Sequence, residues 1–308
     1  MFEYAVRKIA WGILAVMTVT IVLFAIMHSM PGDPVRMITD PRMPEEEVER
    51  LKERWGLHHP PHIQYFYWIS RVVQGDLGTS ISNRQPVRNL IASRLPYTLA
   101  LTFSALIVRY LIGVLVGLIV AVRRGSLADS ILVVLSTALR SIPNFWLGIM
   151  LILLFSVRLR IFPISGYDGP SSIVLPMASL ALPLVANTMR LTRSEMLEVM
   201  REQYVTTAHA KGVPYNKVLI KHALRNALIP VTVVFFLSLP WLIGGSVVIE
   251  TVFAWPGMGR LLWQSIRLQD LPVVQGIVLI IAILTVVFNT LGDIVCAVLD
   301  PSIRTEYQ

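Results

Sequence analysis

The chain has 308 residues, of which 55% are hydrophobic and 15% charged, and its mean hydropathy is +0.64. Soluble domains carry about 25% charged residues, and a soluble fold of this length could not bury so much apolar surface. The composition therefore excludes an ordinary soluble protein. The single cysteine, Cys296, excludes a disulfide framework and a cysteine-based metal cluster.

The net charge is +8, from 27 Lys and Arg against 19 Asp and Glu. Such an excess is typical of proteins that contact nucleic acid or a membrane surface. Here the basic residues lie in loops between apolar runs. Their location predicts a lipid bilayer as the partner and no nucleic acid.

Six segments are long and apolar enough to be transmembrane helices, each of which needs about 20 residues. The first begins like a secretory signal, but it is 22 residues long and continues into PGDP instead of a small-residue cleavage site, so we interpret it as a retained span. Prolines inside several segments predict kinks, which neighbouring helices can accommodate. The predicted spans are Ile9–Met30, Tyr97–Val122, Ile131–Val157, Ile173–Leu191, Leu228–Phe253 and Val273–Leu299.

Lys and Arg in the short connections set the orientation of such a protein. With the N-terminus inside, the short outside loops carry four basic residues: Arg158, Arg160, Arg260 and Arg267. The inside set has 12: Arg7, Lys8, Arg123, Arg124, Arg190, Arg193, Arg201, Lys211, Lys217, Lys221, Arg225 and Arg304. The asymmetry predicts a multi-pass protein with both termini in the cytoplasm.

The long segment 31–96, between the first two predicted spans, contains two amphipathic stretches. The first begins behind Pro44 with three glutamates, which favour a helix N-terminus. We predict three regions: the N-terminal segment and first span at 1–30, an extracytoplasmic cap of short helices at 31–96, and a five-helix transmembrane core at 97–308. An amphipathic helix lying on the lipid headgroups is the alternative for 31–96.

Three histidines cluster in HHPPH, at His58, His59 and His62. Such a cluster can indicate a metal site, but the sequence supplies no cysteine or nearby carboxylate to complete one. A surface turn is the favoured interpretation, and transient metal contact stays open.

Four ionisable residues fall within or near the predicted spans: Arg109, Arg140, Glu250 and Asp293. Charges at this depth normally face a partner or a water-filled path. Arg140 lies about 14 Å and Asp293 about 9 Å from the cytoplasmic side at helical rise, so an Arg140–Asp293 ion pair is a hypothesis. Structural neutralisation and substrate contact both stay open for these four residues.

The loop 190–227, between the fourth and fifth predicted spans, is too polar to cross a membrane. Residues 190–210 contain no Gly or Pro and predict a helix, Gly212 predicts its end, and Pro214 predicts the start of a second helix. Small residues at the bend would let a partner protein close around the backbone. A solvated basic loop is the alternative.

This loop resembles the EAA motif of ABC-importer permeases, which reads E-A-A, three residues, Gly, nine residues, then I-x-L-P. With the motif glycine on Gly212, Thr206, Thr207 and Ala208 occupy the E-A-A positions, and 222–225 occupy the last four. The motif glutamate and the last proline are therefore absent.

The match is closer to the peptide and nickel branch, in which the loop reads Y-V-x-T-A-x-A-K-G followed by H-x-L-R-N-A-x-x-P. MPGDP, QGDLGTS, PNFWLG, GGSVVIETVFAWPGMGRL and LDPSIR also resemble this branch, so the resemblance covers essentially the whole chain. Thirteen loop residues match: Tyr204, Val205, Thr207, Ala208, Ala210, Lys211, Gly212, His222, Leu224, Arg225, Asn226, Ala227 and Pro230.

The resemblance implies an all-α polytopic protein with the type I permease fold of ABC importers, in the inner membrane of a prokaryote. It also implies a second, homologous permease subunit, two cytoplasmic ABC ATPases and an extracytoplasmic solute-binding protein. The loop 190–227 would couple this chain to the ATPases. Dipeptides, oligopeptides, glutathione, nickel and metal chelates are all cargoes of similar permeases.

The chain has no G-x-x-x-x-G-K-[ST] pattern, so we expect no ATP binding by a P-loop, no cofactor in this chain and ATP hydrolysis on the partners. A secondary transporter working without ATPases is the alternative function. It predicts inverted repeats and acids at the midplane. An intramembrane enzyme would need paired acids, a Ser/His set or a metal triad on neighbouring spans, and the sequence displays none.

Overall fold

The structure is a computed structural model that describes residues 2–29, 44–54 and 58–299. MPGDP lies outside the described residues, as does LDPSIR beyond its first residue. Within the described ranges the chain is helical with no β-strand, and an isolated bridge joins Thr79 and Pro86. The helices are α1 Phe2–Ser29, α2 Glu45–Arg54, α3 Pro61–Val73, α4 Val87–Val122, α5 Leu127–Ser141, α6 Asn144–Leu151, α7 Val174–Val199, α8 Gln203–Ala210, α9 Tyr215–Lys217, α10 Arg225–Leu237, α11 Leu239–Val252, α12 Met258–Arg267 and α13 Leu271–Leu299.

Three short helical segments of other types complete the list. A π-helix, Ile152–Arg158, follows α6; a 3-10 helix, Pro170–Ile173, precedes α7; and a second π-helix, Val218–Leu224, joins α9 to α10.

Five of the described helical stretches are long and apolar enough to cross a membrane, and a sixth crossing results if α5 and α6 with its π-helix are counted as one bent span. The predicted all-α fold with about six spans is confirmed. The five stretches are Arg7–Ile26, Val87–Val122, Pro170–Val199, Tyr215–Leu237 and Leu271–Val295.

The third predicted span is two helices bent by 101° at Pro143. Ile142, the residue before the proline, has an extended backbone with ψ 127°, because the proline ring disfavours the helical conformation of its predecessor. The predicted kink at Pro143 is therefore a sharp turn, and Ile131–Val157 is not one straight helix.

The fifth predicted span also differs from the structure. The helical stretch begins at Tyr215 instead of Leu228 and ends at Leu237, and α11 starts after Ser238 with Pro240 in its first turn. A proline lacks the N–H that a continuing helix would need but fits a first turn. Leu228–Phe253 is thus the end of one helix and the whole of another.

The chain forms two compact units, of which the first comprises Met1–Tyr97 and Pro256–Val286. Its core contains Val87, Ile91, Met258, Val273 and Ile277, all buried. In the same unit, the turn between α12 and α13 is tied to the loop before α4 through the buried Asp270.

Four donors converge on the Asp270 carboxylate: the hydroxyls of Ser80 and Ser82, and the backbone N–H groups of Ile81 and Ser82. Burial by itself would raise the pKa of this carboxyl, but the hydrogen bonds outweigh burial and hold its pKa below the ordinary value. Asp270 therefore stabilises the loop as an ionised acceptor.

In the second unit, Thr98–Trp255 and Val287–Gln308, α4 and α7 pack at close range. A Cβ added at Gly113 would lie 2.5 Å from the Cβ of Thr188, and one at Gly117 would lie 2.7 Å from the backbone oxygen of Met189. The two glycines are four residues apart, the spacing that lets membrane helices approach closely. Gly113 and Gly117 therefore determine how closely α4 and α7 approach each other.

Replacing Gly117 by alanine tests this contact. We expect Gly117→Ala to reduce the stability of the purified chain in detergent by about 1–3 kcal/mol, because the obstructing atom is backbone and cannot rotate away. Gly244→Ala, in α11, is the matched control, since no atom lies within 4 Å of a Cβ added at Gly244. Thermal unfolding of the two variants measures the difference, and equal melting temperatures would contradict the packing argument.

Replacing Asp270 by asparagine should cost about 1–3 kcal/mol at neutral pH, because four donors lose an ionised acceptor. A carboxyl with a lowered folded-state pKa contributes stability that is present above its unfolded pKa of about 3.9 and lost as the pH falls through the folded pKa. The difference in unfolding temperature between the wild-type protein and Asp270→Asn should therefore be constant above about pH 5 and shrink in more acidic solution. A difference that grows on acidification would refute this assignment.

Candidate functional site: the loop after helix α7 and the buried charges

The predicted helix over residues 190–210 is divided in the structure. Helix α7 ends at Val199, and Met200–Glu202 form a turn closed by the N–H groups of Arg201 and Glu202 on the carbonyls of Glu198 and Val199. Helix α8 then starts with Glu202 as an extended N-cap residue. The turn allows both Met196, on α7, and Val205, on α8, to be buried.

The helix end expected at Gly212 is present, and its geometry explains the glycine. Gly212 has φ +76°, and its N–H donates to the His209 carbonyl at 2.9 Å, while the Val213 N–H donates to the Ala208 carbonyl at 3.2 Å. These two bonds form a Schellman motif, whose left-handed position favours glycine.

After Gly212 the chain turns at Pro214 into one helical stretch that runs through α9, the π-helix Val218–Leu224 and α10. We call residues 203–227 the elbow. The π-helix lies just before Pro230, which lacks the N–H for an α-helical bond to Asn226. Insertions of π-helix are frequent at functional sites.

The elbow is braced against the ends of α4 and α7. Ala223 and Ala227 are buried with Ala121 of α4 and Met196 of α7, in a cluster that also includes partly buried residues. These are Leu118, Val199, Met200, Leu219 and Leu224.

Two side-chain contacts join α8 to the helical stretch that follows it. The Asn226 amide donates to the Tyr204 hydroxyl at 2.8 Å, and the rings of His209 and Tyr215 stack with centroids 5.9 Å apart. The elbow is therefore a pair of helices joined by side-chain contacts and not an unstructured loop.

Ten of the thirteen matching loop residues are predicted to couple the loop to the ATPases, and none of these ten is buried, whereas Val205 and Ala227 of the thirteen are. The structure brings Tyr204 and Asn226 together, and it leaves the small side chains around the bend accessible. Ala208, His222 and Leu224 are partly exposed, and Tyr204, Thr207, Ala210, Lys211, Gly212, Arg225 and Asn226 are exposed.

An ion pair near the elbow was missed by sequence reasoning. Arg193 of α7 donates to Asp129 at the start of α5 over 3.0 Å, and the Gly125 N–H donates to the same carboxylate oxygen at 3.0 Å. The local pattern Ser126-x-x-Asp129 indicates a helix N-terminus, and Ser126 does accept from the Asp129 N–H. Nothing in the sequence, however, indicates Arg193 as the partner.

Arg109 is buried in α4, with 6% of its surface exposed. Its Nε–H donates to the Thr188 hydroxyl of α7 at 3.1 Å. The side chain lines a small cavity enclosed by α4, α7 and α10. The other lining residues are Leu106, Tyr110, Thr188, Leu191, Val231, Val234 and Phe235.

Glu250 is fully buried in α11. Its Oε1 accepts from the Thr98 hydroxyl at 2.7 Å and from the Ser246 hydroxyl at 3.2 Å. Three residues on, Phe253 accepts a backbone hydrogen bond from Gly166, and Trp255 is buried with its ring edge-to-face on Tyr167. Glu250 is thus hydrogen-bonded to two hydroxyl groups of its own unit.

Arg140 and Asp293, which both belong to the described part of the chain, do not form the hypothesised ion pair. Arg140 is exposed, and Asp293 is partly buried with other contacts. Arg140 lies in the last turn of α5, where the helix dipole favours a cation.

The described residues contain no group of three His, Cys, Asp or Glu side chains placed to hold a metal ion. His58, His59 and His62 are exposed. His58 lies 3.5 Å from a carboxylate oxygen of Glu49, a neighbour that the sequence did not indicate.

Comparison with known families matches nearly the whole chain. Residues 113–305 match the family "Binding-protein-dependent transport system inner membrane component", and residues 1–102 match the N-terminal region of the same kind of membrane component. Among curated proteins, the chain is 40% identical to the oligopeptide transport system permease protein AppB of Bacillus subtilis, with both chains fully covered. It is 37% identical to the glutathione transport system permease protein GsiC of Escherichia coli, with 99% of each chain covered.

Solved structures support the fold. The chain resembles a subunit of the inward-facing MetNI methionine ABC transporter with a TM-score of 0.58 at 20% identity, over 68% of this chain and 96% of the other. An amino acid ABC transporter aligns with a TM-score of 0.52 at 18% identity, over 68% of this chain and 94% of that one.

The long apolar helices, the elbow at Gly212 and the family match over both parts of the chain agree with one another. The chain belongs to the family of inner membrane components of binding-protein-dependent transport systems, the permease subunits of ABC importers.

Proposed function

We propose that this chain forms, together with a second homologous permease, the membrane pathway of an importer for peptides. Two cytoplasmic ABC ATPases drive it, and an extracytoplasmic solute-binding protein delivers the cargo. The similarity to permeases named for oligopeptide and glutathione transport supports peptides as the cargo class. Nickel and metal chelates are the second cargo class that the sequence resemblance implies.

The elbow is the proposed site at which an ATPase grips this chain. The observation that carries this proposal is an exposed bend of small residues around Gly212, joined to a buried cluster that reaches α4 and α7. A partner that pulls on the bend moves a braced helix pair and not a loose loop. The motion is then transmitted to the membrane helices as a rigid-body shift.

The orientation is part of the same proposal. With both termini in the cytoplasm, the elbow faces the ATPases, and the segment 31–96, which includes α2 and α3, forms an extracytoplasmic cap. The excess of Lys and Arg in the inside connections supports this arrangement. ATP binding and hydrolysis take place on the partner subunits.

The dependence on ATPases can be tested directly. Proteoliposomes that contain this chain, its sister permease, the ATPases and the binding protein should accumulate peptide only when ATP is supplied to the ATPase side. This chain alone should hydrolyse no ATP. Uptake by the two permeases without ATPases, driven by an ion gradient, would favour the secondary-transporter alternative.

Gly212→Val should release the ATPases while leaving membrane insertion intact. Valine at φ +76° costs about 1–2 kcal/mol of backbone strain and also distorts the surface that the ATPase contacts. We expect at least a tenfold loss of ATPase co-purification, which corresponds to about 1.4 kcal/mol.

Gly75→Val is the matched control. Gly75 has φ +82° and the same pair of Schellman hydrogen bonds at the end of α3, and neither glycine has an atom within 4 Å of an added Cβ. Both substitutions therefore impose the same strain, but only one lies in the elbow. Equal retention of the ATPases by the two variants would refute the elbow assignment.

A further inference from the structure

Helix α3, Pro61–Val73, exposes large apolar side chains on one side. Phe66 is 69% exposed and Val73 is 80% exposed. The two residues are seven positions apart, close to two helical turns, so they lie on the same side of the helix. Tyr67, next to Phe66, is exposed as well. An exposed apolar surface of this kind marks a site of contact with a membrane or another protein.

A hydrogen bond fixes the position of α3 along helix α1. The Tyr65 hydroxyl lies 3.0 Å from the Thr20 hydroxyl, and Tyr65 is the donor because Thr20 donates its own proton to the Met17 carbonyl at 2.8 Å. The Tyr65 ring also packs edge-to-face on Phe24, with the ring centroids 5.6 Å apart. The side of α3 that carries Tyr65 therefore faces α1.

The contact residues on α1 place α3 at a definite depth. Thr20 and Phe24 belong to the apolar stretch Arg7–Ile26, which is long enough to cross a membrane. Phe24 lies about 3 Å and Thr20 about 9 Å before the end of that stretch at helical rise. A helix that lies in the membrane interface buries its apolar face about 5–10 Å into the boundary between headgroups and acyl chains. Tyr65 therefore contacts α1 at the depth of such a helix.

The α1 surface around this contact is open to the bilayer. Within Arg7–Ile26, Thr20 and Phe24 are buried, whereas their neighbours Ile21 and Val22 are exposed. Lipid can therefore reach α3 beside α1. A soluble protein docked outside the bilayer would not reach this depth.

The two sides of α3 that flank Tyr65 differ in polarity. At about 100° per residue, Phe66 and Val73 are turned to one side of Tyr65, and Gln64 and Arg71 are turned to the other side. With Tyr65 against α1, the apolar side can face the acyl chains while the polar side faces water. This is the arrangement of an amphipathic helix at a membrane surface.

The charge of α3 is balanced by a neighbouring residue. Arg71 is the only Lys or Arg in α3, which contains no Asp or Glu. Its Nε and Nη2 groups donate to the Asp76 carboxylate at 2.9 Å and 2.7 Å. Attraction to anionic lipids is thereby reduced, so the attachment depends on the apolar and aromatic side chains. Tyr and Trp, which α3 carries at positions 65, 67 and 68, are enriched at membrane–water interfaces.

From these observations we infer that α3 lies on the bilayer surface at the C-terminal end of α1, with Phe66 and Val73 inserted at the boundary of the phospholipid acyl chains. This contact attaches the segment between the first two spans to the membrane through its own helix. The inference requires that α1 crosses the bilayer, and it is independent of the cargo and of the ATPases.

Single fluorescent labels test this position. Cys296 is the only cysteine of the chain, so Cys296→Ser provides a background in which one new cysteine can be labelled at a time. A polarity-sensitive fluorophore is attached to Phe66→Cys or to Val73→Cys. The chain is then reconstituted with a cysteine-free sister permease in phosphatidylcholine vesicles whose acyl chains carry bromine, which quenches a fluorophore beside it.

We expect bromine near the headgroup end of the acyl chain to reduce the fluorescence of both labels about twofold or more, and bromine near the methyl end to reduce it less. Gln64→Cys is the matched control on the same helix, and its label should stay unquenched because it faces water. Ile21→Cys is the positive control for insertion, since Ile21 is an exposed residue of the α1 span.

Three results would overturn the inference when the Ile21 label is quenched. Unquenched labels at Phe66 and Val73 with the emission of a fluorophore in water would place this side of α3 in solvent. Unquenched labels with blue-shifted emission would show that a protein covers it. Quenching that appears only after phosphatidylglycerol is added would show that charge, and not the apolar side, attaches the helix.

Discussion

The close contact of α4 with α7 is the constraint on which the second unit depends. Two glycines one helical turn apart let the helix backbones approach until the neighbouring atoms leave no room for a methyl group. Lipid provides little hydrophobic drive for helices to associate, so such packing contacts must supply it. The contact also brings Arg109, one turn before Gly113, against Thr188, and it gives the elbow a rigid base at Ala121 and Met196.

The elbow and the buried Arg109 are connected by a single helical stretch. It begins at the exposed Tyr215 and continues through α10, which contributes Val231, Val234 and Phe235 to the wall beside Arg109. Under the proposed function, an ATPase that binds the exposed end would therefore act on a helix that reaches the buried centre of the second unit.

Local sequence patterns predicted the all-α fold, about six spans and the break at Gly212, because hydropathy and the backbone preferences of Gly and Pro act over a few residues. The helix start at Pro214 was predicted, but its continuation from Tyr215 to Leu237 as one membrane-spanning stretch was not, since the polar residues of the elbow conceal the continuity of the backbone. Contacts between distant segments were equally inaccessible. Asp129 and Arg193 are 64 residues apart, and Ser80 and Asp270 are 190 apart, so no local periodicity indicates either pair. The Arg140–Asp293 pair was inferred from depth along two spans, and depth does not determine which face of each helix a side chain occupies.

The π-helix between the elbow and α10 has a geometric consequence. A π-turn closes its hydrogen bond one residue later than an α-turn, so the segment Val218–Leu224 contains one residue more than an α-helix of equal turn number would need. Conversion of this segment to α-helix would offset the chain by one residue, which corresponds to a twist of about 100°. Val218 would then leave its buried position, and the surface around Gly212 would turn about the axis of α10. A conversion between π-helix and α-helix at this junction would therefore rotate the elbow about the axis of α10 instead of bending it.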